Sequence, residues 1–517
     1  MRVGSQSASI GSDLECTDTN LVTIDMAHTP TMPTITAVDL YNFTQCGHRV
    51  YLDEHGDPAL KGEVSTFVQL LWEKGLQTER EYIERLGYDT VEDLQAFSTR
   101  EAATKTLALM SRGARLIYQG VLISGDMVGR PDMLIRQDDG SSNFGAWYYE
   151  PVDIKAGKGA DERDGKRTKF KEHYAFQVLF YHDLVTVIQG TSPRHCRIVN
   201  VDGEFEEFDR ADFQVSYAAA LAEVRRLVAG EESSEPVLGS HCQQCAWFKK
   251  CKRWVDDTRD PTGLFFIGSQ KFALKEAGLR TVDDIAVMNV PDYLEPPKKI
   301  PRMGEKSLVR MKRRAQVVLA GRPEIRPGYS FPNVATEIYF DIEDDPTQDT
   351  TYLFGMWIRR GGGEGAFEYI LAQRPEDEKE ACLRFWDFVA AQDDCVFYVY
   401  SHKERSSLRR LMEKYGLAED VFERYVAREF DLYQDLVVEF SDWPTYSYGI
   451  KQIAKQTGFS WRDTDPGGAN SIAWYNDYLG AADPAVRARV LRRILEYNED
   501  DCRAMAHIVD WFRGRAG

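Results

Sequence analysis

Apolar residues recur at helical spacing between positions 64 and 86, where Phe67, Leu70 and Leu71 are followed by Tyr82, Ile83 and Leu86, so the pattern predicts a helix. The period then changes. Two strand-like runs, 129–135 and 147–155, flank a polar, Gly-bearing stretch that predicts a hairpin connection. Helical patterning returns over 173–188 and 213–229, and three cysteines gather within 242–251. Residues 262–321 read as short helices joined by Gly and Pro turns, with helices expected over 279–288 and 306–320. Strands at 337–343, 352–358 and 396–400 open a last segment that closes in helices. This interleaving predicts an α/β protein.

A chain of 517 residues fits roughly three domains of about 150 residues each. The pattern predicts a flexible Ser-, Thr- and Asp-bearing tail over 1–33, a first domain over 34–260, a basic helical segment over 261–328 and a last domain over 329–517. The breaker-rich run Gly321-Arg322-Pro323-Glu324-Ile325-Arg326-Pro327-Gly328 marks the last boundary. Hydrophobic residues at 43% and charged residues at 28% exclude a mostly disordered chain. No apolar run approaches the roughly 18 residues of a membrane span, and no secretory leader is evident, so a cytoplasmic protein without membrane contact is expected. The net charge of -18 argues against a non-specific nucleic-acid coat, while leaving room for acids gathered round metal ions. Nine cysteines are too few for a disulfide scaffold; close spacing among them reads as metal or cluster ligation.

Asp153 and Lys155 are two apart in a predicted strand and so share a face, and Asp132 on the neighbouring strand can meet Asp153. Two carboxylates suit Mg²⁺ or Mn²⁺, and Lys155 would stand beside a scissile phosphate. The plain alternative is a surface hairpin of alternating charge. Gln177 and Tyr181, four apart, lie on one helical face. The set Asp132, Asp153, Lys155, Gln177 and Tyr181 resembles the PD-(D/E)xK nucleases of the RecB/AddB type. The resemblance implies that Gln177 and Tyr181 contact DNA and that an upstream helix supplies a metal-binding histidine. The matching stretch, 72–81, has no histidine; Glu79 is the nearest substitute, with Thr78 at the histidine's place.

Cys242, Cys245 and Cys251 form C-x2-C-x5-C, and Cys46 lies far upstream. Four thiolates can hold zinc or a [4Fe–4S] cluster, and spacing does not choose between them. One ligand before the nuclease-like core and three after it resembles the iron–sulfur staple of AddB-type nucleases, which implies the cluster, with zinc as the alternative. Cys16, Cys196, Cys382, Cys395 and Cys502 read as ordinary small apolar residues.

Eight basic residues (Lys298, Lys299, Arg302, Lys306, Arg310, Lys312, Arg313, Arg314) stand against the single acid Glu305 between 298 and 314. The helix–turn–helix order around Gly304 resembles a helix-hairpin-helix, which implies contact with a phosphate backbone. A solvated basic helix is the alternative.

In the last segment Asp341 and Glu343 share a strand face, Glu404 follows the strand at 396–400, and Tyr497 and Asp501 are four apart in a helix. Acids drawn from separate elements to one sheet edge suit divalent ions. The order resembles the tyrosine subtype of DEDD exonucleases, on an RNase H-like fold. It implies that Asp341, Glu343, Glu404 and Asp501 hold metal and that Tyr497 orients water. Asp431 and Lys451 fall in segments similar to that family's, and a degenerate fold kept for binding is the alternative.

Together the two halves resemble bacterial RecB-like nucleases with a C-terminal RNase H-like domain. The resemblance implies a DNA nuclease acting on single strands or ends in repair, recombination or defence, with RNA not excluded. No Gly-x-x-x-x-Gly-Lys-Ser/Thr occurs, so a helicase would be a separate partner.

Overall fold

The computed structural model describes residues 34–88, 90–163 and 166–515; the 1–33 tail and Cys16 fall outside them. The N-terminal part is built on a six-stranded sheet, in the order Phe205–Glu207, Arg197–Val199, Tyr148–Ile154, Met133–Gln137, Leu116–Tyr118, Glu92–Asp93. Tyr148–Ile154 runs antiparallel to Met133–Gln137, with Met133 opposite Val152, and parallel to Arg197–Val199, with Asp153 opposite Ile198. Parallel neighbours need a long crossover, supplied here by the helix Glu172–Gln189. Every residue of Tyr148–Ile154 is buried, because both sheet faces are covered. Val178, Leu179 and Phe180 of the crossover helix belong to the same core as Tyr149 and Ile198, while Tyr82 of the helix Thr66–Arg85 shares a core with Met133 and Val152. The helix carrying Glu79 therefore lies across this sheet from the helix carrying Gln177.

The run 129–135 is two strands rather than one. Met127–Gly129 joins a three-stranded sheet with Leu122–Ser124 and Ile35–Thr36, and Met133–Gln137 joins the six-stranded one. Pro131 has no N–H for a ladder, and the chain changes sheets around it. The break leaves Asp132 at the start of the second strand.

The middle segment packs the helices Lys271–Glu276, Val282–Val287 and Glu305–Ala320 round Leu274, Leu279, Ile285, Ile300, Leu308 and Met311. The helix expected over 279–288 is shorter because Thr281 caps it. The Thr281 Oγ1 accepts the Asp284 N–H at 3.1 Å, and the Asp284 carboxylate accepts the Thr281 N–H at 2.9 Å. Arg313 and Arg314, which look like part of an exposed basic face, turn inward. They meet the fully buried Asp442, which also accepts from Arg326 at 2.6 Å. Asp442 belongs to the short strand Ser441–Asp442, paired with Glu324–Ile325.

The C-terminal domain is RNase H-like in topology. Its five strands lie in the order Ala366–Leu371, Thr350–Arg360, Thr336–Asp345, Cys395–Val399, Glu429–Asp431. The first three form an antiparallel meander, and the last two run parallel to Thr336–Asp345. Alternation divides the central strand between two cores. Ile338, Phe340 and Ile342 pack with Cys382 and Phe385 of the helix Glu378–Ala390, while Tyr339 packs with Cys502, Met505 and Val509 of the helix Pro484–Arg513. Asp341 and Glu343 share the parity of Tyr339, so they face the C-terminal helix.

Removing Asp442 would leave three guanidinium groups facing one another. The substitution Asp442→Ala is expected to cost about 3–5 kcal/mol, read as a lowered urea midpoint of the C-terminal domain.

Candidate metal centres

The C-terminal centre is assembled from three elements. Asp341 and Glu343 come from the central strand, whose register shifts at Glu343/Asp344, and Asp501 comes from the helix Pro484–Arg513. A bulge of this kind re-aims a side chain beside a site. One ligand oxygen from each of the three acids lies within 4.8 Å of the other two, and they are the one such group among the described residues. Glu404, in the first turn of the helix Lys403–Tyr415, is buried beside them.

Donors surround these acids. Asn498 Nδ2 donates to Asp341 at 2.7 Å and to Glu343 at 3.4 Å, and Trp461 Nε1 donates to Asp501 at 2.6 Å. Lys451 Nζ stands 3.2 Å from the Tyr497 hydroxyl oxygen, and Lys403 Nζ donates to the Ile342 carbonyl at 3.1 Å. Burial and then the Glu343, Asp501 and Glu404 charges push Asp341 far above the usual carboxylate range. Burial raises Glu343 to about 7 against the opposing Lys403, and raises Glu404 to about 8 in the same way. Asp501 is raised by burial, with Lys451 opposing. Crowded, desolvated carboxylates hold protons unless a cation replaces them.

The residues fit a hard divalent cation: all the ligand atoms are oxygen, and Glu404 Oε2 is buried with no hydrogen-bond partner. Asp431 plays a different part, accepting the Tyr433 and Gln434 N–H groups at 2.9 and 3.1 Å to start the π-helical turn Leu432–Val438.

The N-terminal centre brings together Glu79, Asp132, Asp153, Lys155 and Gln177. Asp132 accepts the Ile154 N–H at 2.7 Å, and Asp153 accepts the Asp132 N–H at 3.2 Å, so the two acids cross-brace their strands. Lys155 Nζ donates to Asp153 at 2.8 Å and to the Gln177 side-chain oxygen Oε1 at 3.0 Å. Burial followed by the Asp153 and Glu79 charges raises Asp132 well above its ordinary value, and burial followed by Asp153 does the same to the Tyr181 phenol. Thr78 does not reach the site, since its hydroxyl donates to the Lys74 carbonyl at 2.9 Å. Glu79 does reach it.

Gln119 escaped the sequence pattern. Its Nε2 bridges Glu79 at 2.6 Å and Asp132 at 2.9 Å, from a left-handed backbone position at φ 56°. Such a conformation is unfavourable for a non-glycine residue and clusters at functional sites. A polar residue at the end of a three-residue strand gives no periodic signal.

The four cysteines occupy one region. Cys46 separates the helices Ala37–Gln45 and Gly47–His55, Cys242 lies in the turn Ser240–Gln244, Cys245 follows it, and Cys251 belongs to the helix Phe248–Thr258. Burial raises Cys251 to about 12, with Cys245, Cys46 and Cys242 adding to the effect. Trp247 Nε1 donates to Asp53 at 2.9 Å and so ties the two cysteine-bearing segments. Cys196, Cys382, Cys395 and Cys502 are buried. Elsewhere Lys298, Lys299, Arg302, Lys306 and Arg310 are all exposed.

Residues 338–513 match a family model described as RNase_H superfamily (RNase_H_2), over the domain whose strand order has been described. No curated protein and no solved structure matches the chain. An RNase H-like domain points to nuclease-type hydrolysis of nucleic acid, and domains of this kind use divalent metals that the Asp341, Glu343 and Asp501 group could hold. Among the described residues, no helix is long and apolar enough to cross a membrane.

A carboxyl raised in the folded state binds its proton more tightly there than in the unfolded chain. In the absence of divalent ions, Glu404 thus contributes stability that is lost as pH rises from its ordinary value through about 8. Glu404→Gln is expected to unfold at a higher temperature than the parent at pH 9 in EDTA, the gap closing towards pH 5 and reversing when Mg²⁺ is added at pH 9. Thermal scans across this range check it.

Proposed function

We propose that the chain is a metal-dependent DNA nuclease, acting on single strands or ends, with a 3′–5′ exonuclease-like C-terminal centre and a RecB-like N-terminal one. The observation that carries the reading is the convergence of Asp341, Glu343 and Asp501 within an RNase H-like domain. When bound there, Mg²⁺ or Mn²⁺ supplies Lewis acidity towards water and the scissile phosphate. The chain's own groups do the rest. Asp341, Glu343, Glu404 and Asp501 hold the ions, Tyr497, fixed by Lys451 at 3.2 Å, orients the attacking water, and the Lys403 ammonium meets phosphate charge. In the N-terminal centre Asp132, Asp153 and Glu79 bind the ion, Lys155 assists at the phosphate, and Gln177 and Tyr181 face the strand.

The run of exposed basic residues from Lys298 to Arg310 supports a phosphate-backbone contact in an otherwise acidic chain. Cys46, Cys242, Cys245 and Cys251 hold a [4Fe–4S] cluster in this reading, with zinc as the alternative. Roles in repair, recombination or defence, and a separate helicase partner, belong to the same proposal.

A second reading confines cleavage to the C-terminal centre. It is favoured by the N-terminal acids, which are braced by N–H donors and by Lys155 rather than gathered as a three-oxygen group. Labelled single-stranded DNA, duplex DNA and RNA, digested with Mg²⁺ or Mn²⁺, separate the cases. Asp341→Ala is expected to lower exonuclease turnover at least a hundredfold and Asp153→Ala to abolish the remaining cleavage; an Asp153→Ala protein indistinguishable from the parent would leave only the second reading. Anaerobically purified protein is expected to absorb near 400 nm with bound iron and sulfide, and Cys251→Ser to lose that band. Zinc without iron would replace the cluster assignment.

A further inference from the structure

We propose that Asn498 is a positioning residue of the C-terminal centre: a buried amide that sets the spacing of Asp341 and Glu343 for a divalent cation, admitted because Gly355 carries no side chain. The inference rests on the metal-dependent reading of that centre. Asn498 is fully buried, one residue beyond Tyr497 and three before Asp501 on the same helix. Its amide nitrogen has two protons, enough to donate to two carboxylates at once, and it lies 2.7 Å from Asp341 Oδ2 and 3.4 Å from Glu343 Oε1. The other end of the amide, Oδ1, is buried without a hydrogen-bond partner. Leaving a carbonyl oxygen unsatisfied is unfavourable, so the amide is held for what its nitrogen does.

The sheet makes room for it. Gly355 is directly opposite Asp341 in the strand register, and a Cβ built there would lie 1.5 Å from Asn498 Oδ1 and 2.6 Å from its Cγ. A glycine weakens the middle of a strand, and here it clears the path by which a helix side chain reaches two acids on the sheet. Chemistry narrows the residue type as well. Aspartate would add another negative charge to the cluster, and serine would be too short to reach both acids. The amide nitrogen donates to one oxygen of each acid, which keeps the two carboxyl groups facing one place.

The test uses the full chain carrying Asp132→Asn and Asp153→Asn, so that bound ions report the C-terminal centre. Mn²⁺ binding is followed by the paramagnetic resonance signal of the free ion, alongside the thermal unfolding midpoint. Asn498→Ala is expected to weaken Mn²⁺ binding at least tenfold, the range seen when groups supporting metal ligands are removed. Gly355→Ala is expected to weaken it similarly although Asn498 is still present. In the double variant Gly355→Ala/Asn498→Ala the new methyl group enters vacated space. It is expected to unfold near the parent's temperature yet to bind Mn²⁺ as weakly as Asn498→Ala, a separation that a purely structural role would not produce. Binding within twofold of the parent in Asn498→Ala or in the double variant would overturn the inference. Absence of Mn²⁺ uptake in the parent would overturn the metal reading itself, and is recognised because no difference between variants is then seen.

Discussion

Like charges forced together out of water are the constraint on which the C-terminal domain is organised. Asp341, Glu343, Glu404 and Asp501 are drawn from two strand-proximal segments and one long helix into a space where burial already disfavours each charge. Nothing in the balance of folding rewards that arrangement, since apolar residues at these positions would pack without repulsion. The surrounding donors soften the conflict: Asn498 between two acids, Trp461 on Asp501, and Lys403 and Lys451 at the margins. A cluster held in this strained electrostatic state is suited to exchanging protons for a divalent cation.

The fold supplies the means. Period-two alternation sends Ile338, Phe340 and Ile342 into one core and leaves Asp341 and Glu343 facing the helix Pro484–Arg513. The strand order lets the neighbouring parallel strand Cys395–Val399 deliver Glu404 just beyond its end. The N-terminal part uses another solution to the same problem. There a proline-interrupted strand, a central buried strand and a crossover helix bring Asp132, Asp153, Lys155 and Gln177 together, with Gln119 bridging Asp132 to Glu79. In both centres a primary amide spans two carboxylates.

Much of this was legible in the order of residues. Asp341 and Glu343, or Asp153 and Lys155, announce themselves because two positions apart in a strand means one face. Tyr497 and Asp501 do so because four apart in a helix means one side. What could not be read depends on contacts between distant segments. Asn498, Gly355, Trp461 and Gln119 carry no periodic signature; each matters only through a partner 13 to 157 positions away. The basic run misled in part, since local charge density does not reveal that Arg313 and Arg314 face Asp442, 129 and 128 positions on. The run 129–135 reads as one strand, because which sheet each side of Pro131 joins is decided by tertiary pairing. The strands Leu116–Tyr118 and Arg197–Val199 are too short to show alternation.

Crystals of the full chain grown with Mn²⁺ and measured at the manganese absorption edge test the central claim most directly. The account predicts an anomalous peak in contact with Asp341, Glu343 and Asp501. Full-length protein saturated with Mn²⁺ whose acids show no peak there, or whose carboxyl groups point apart, would contradict it.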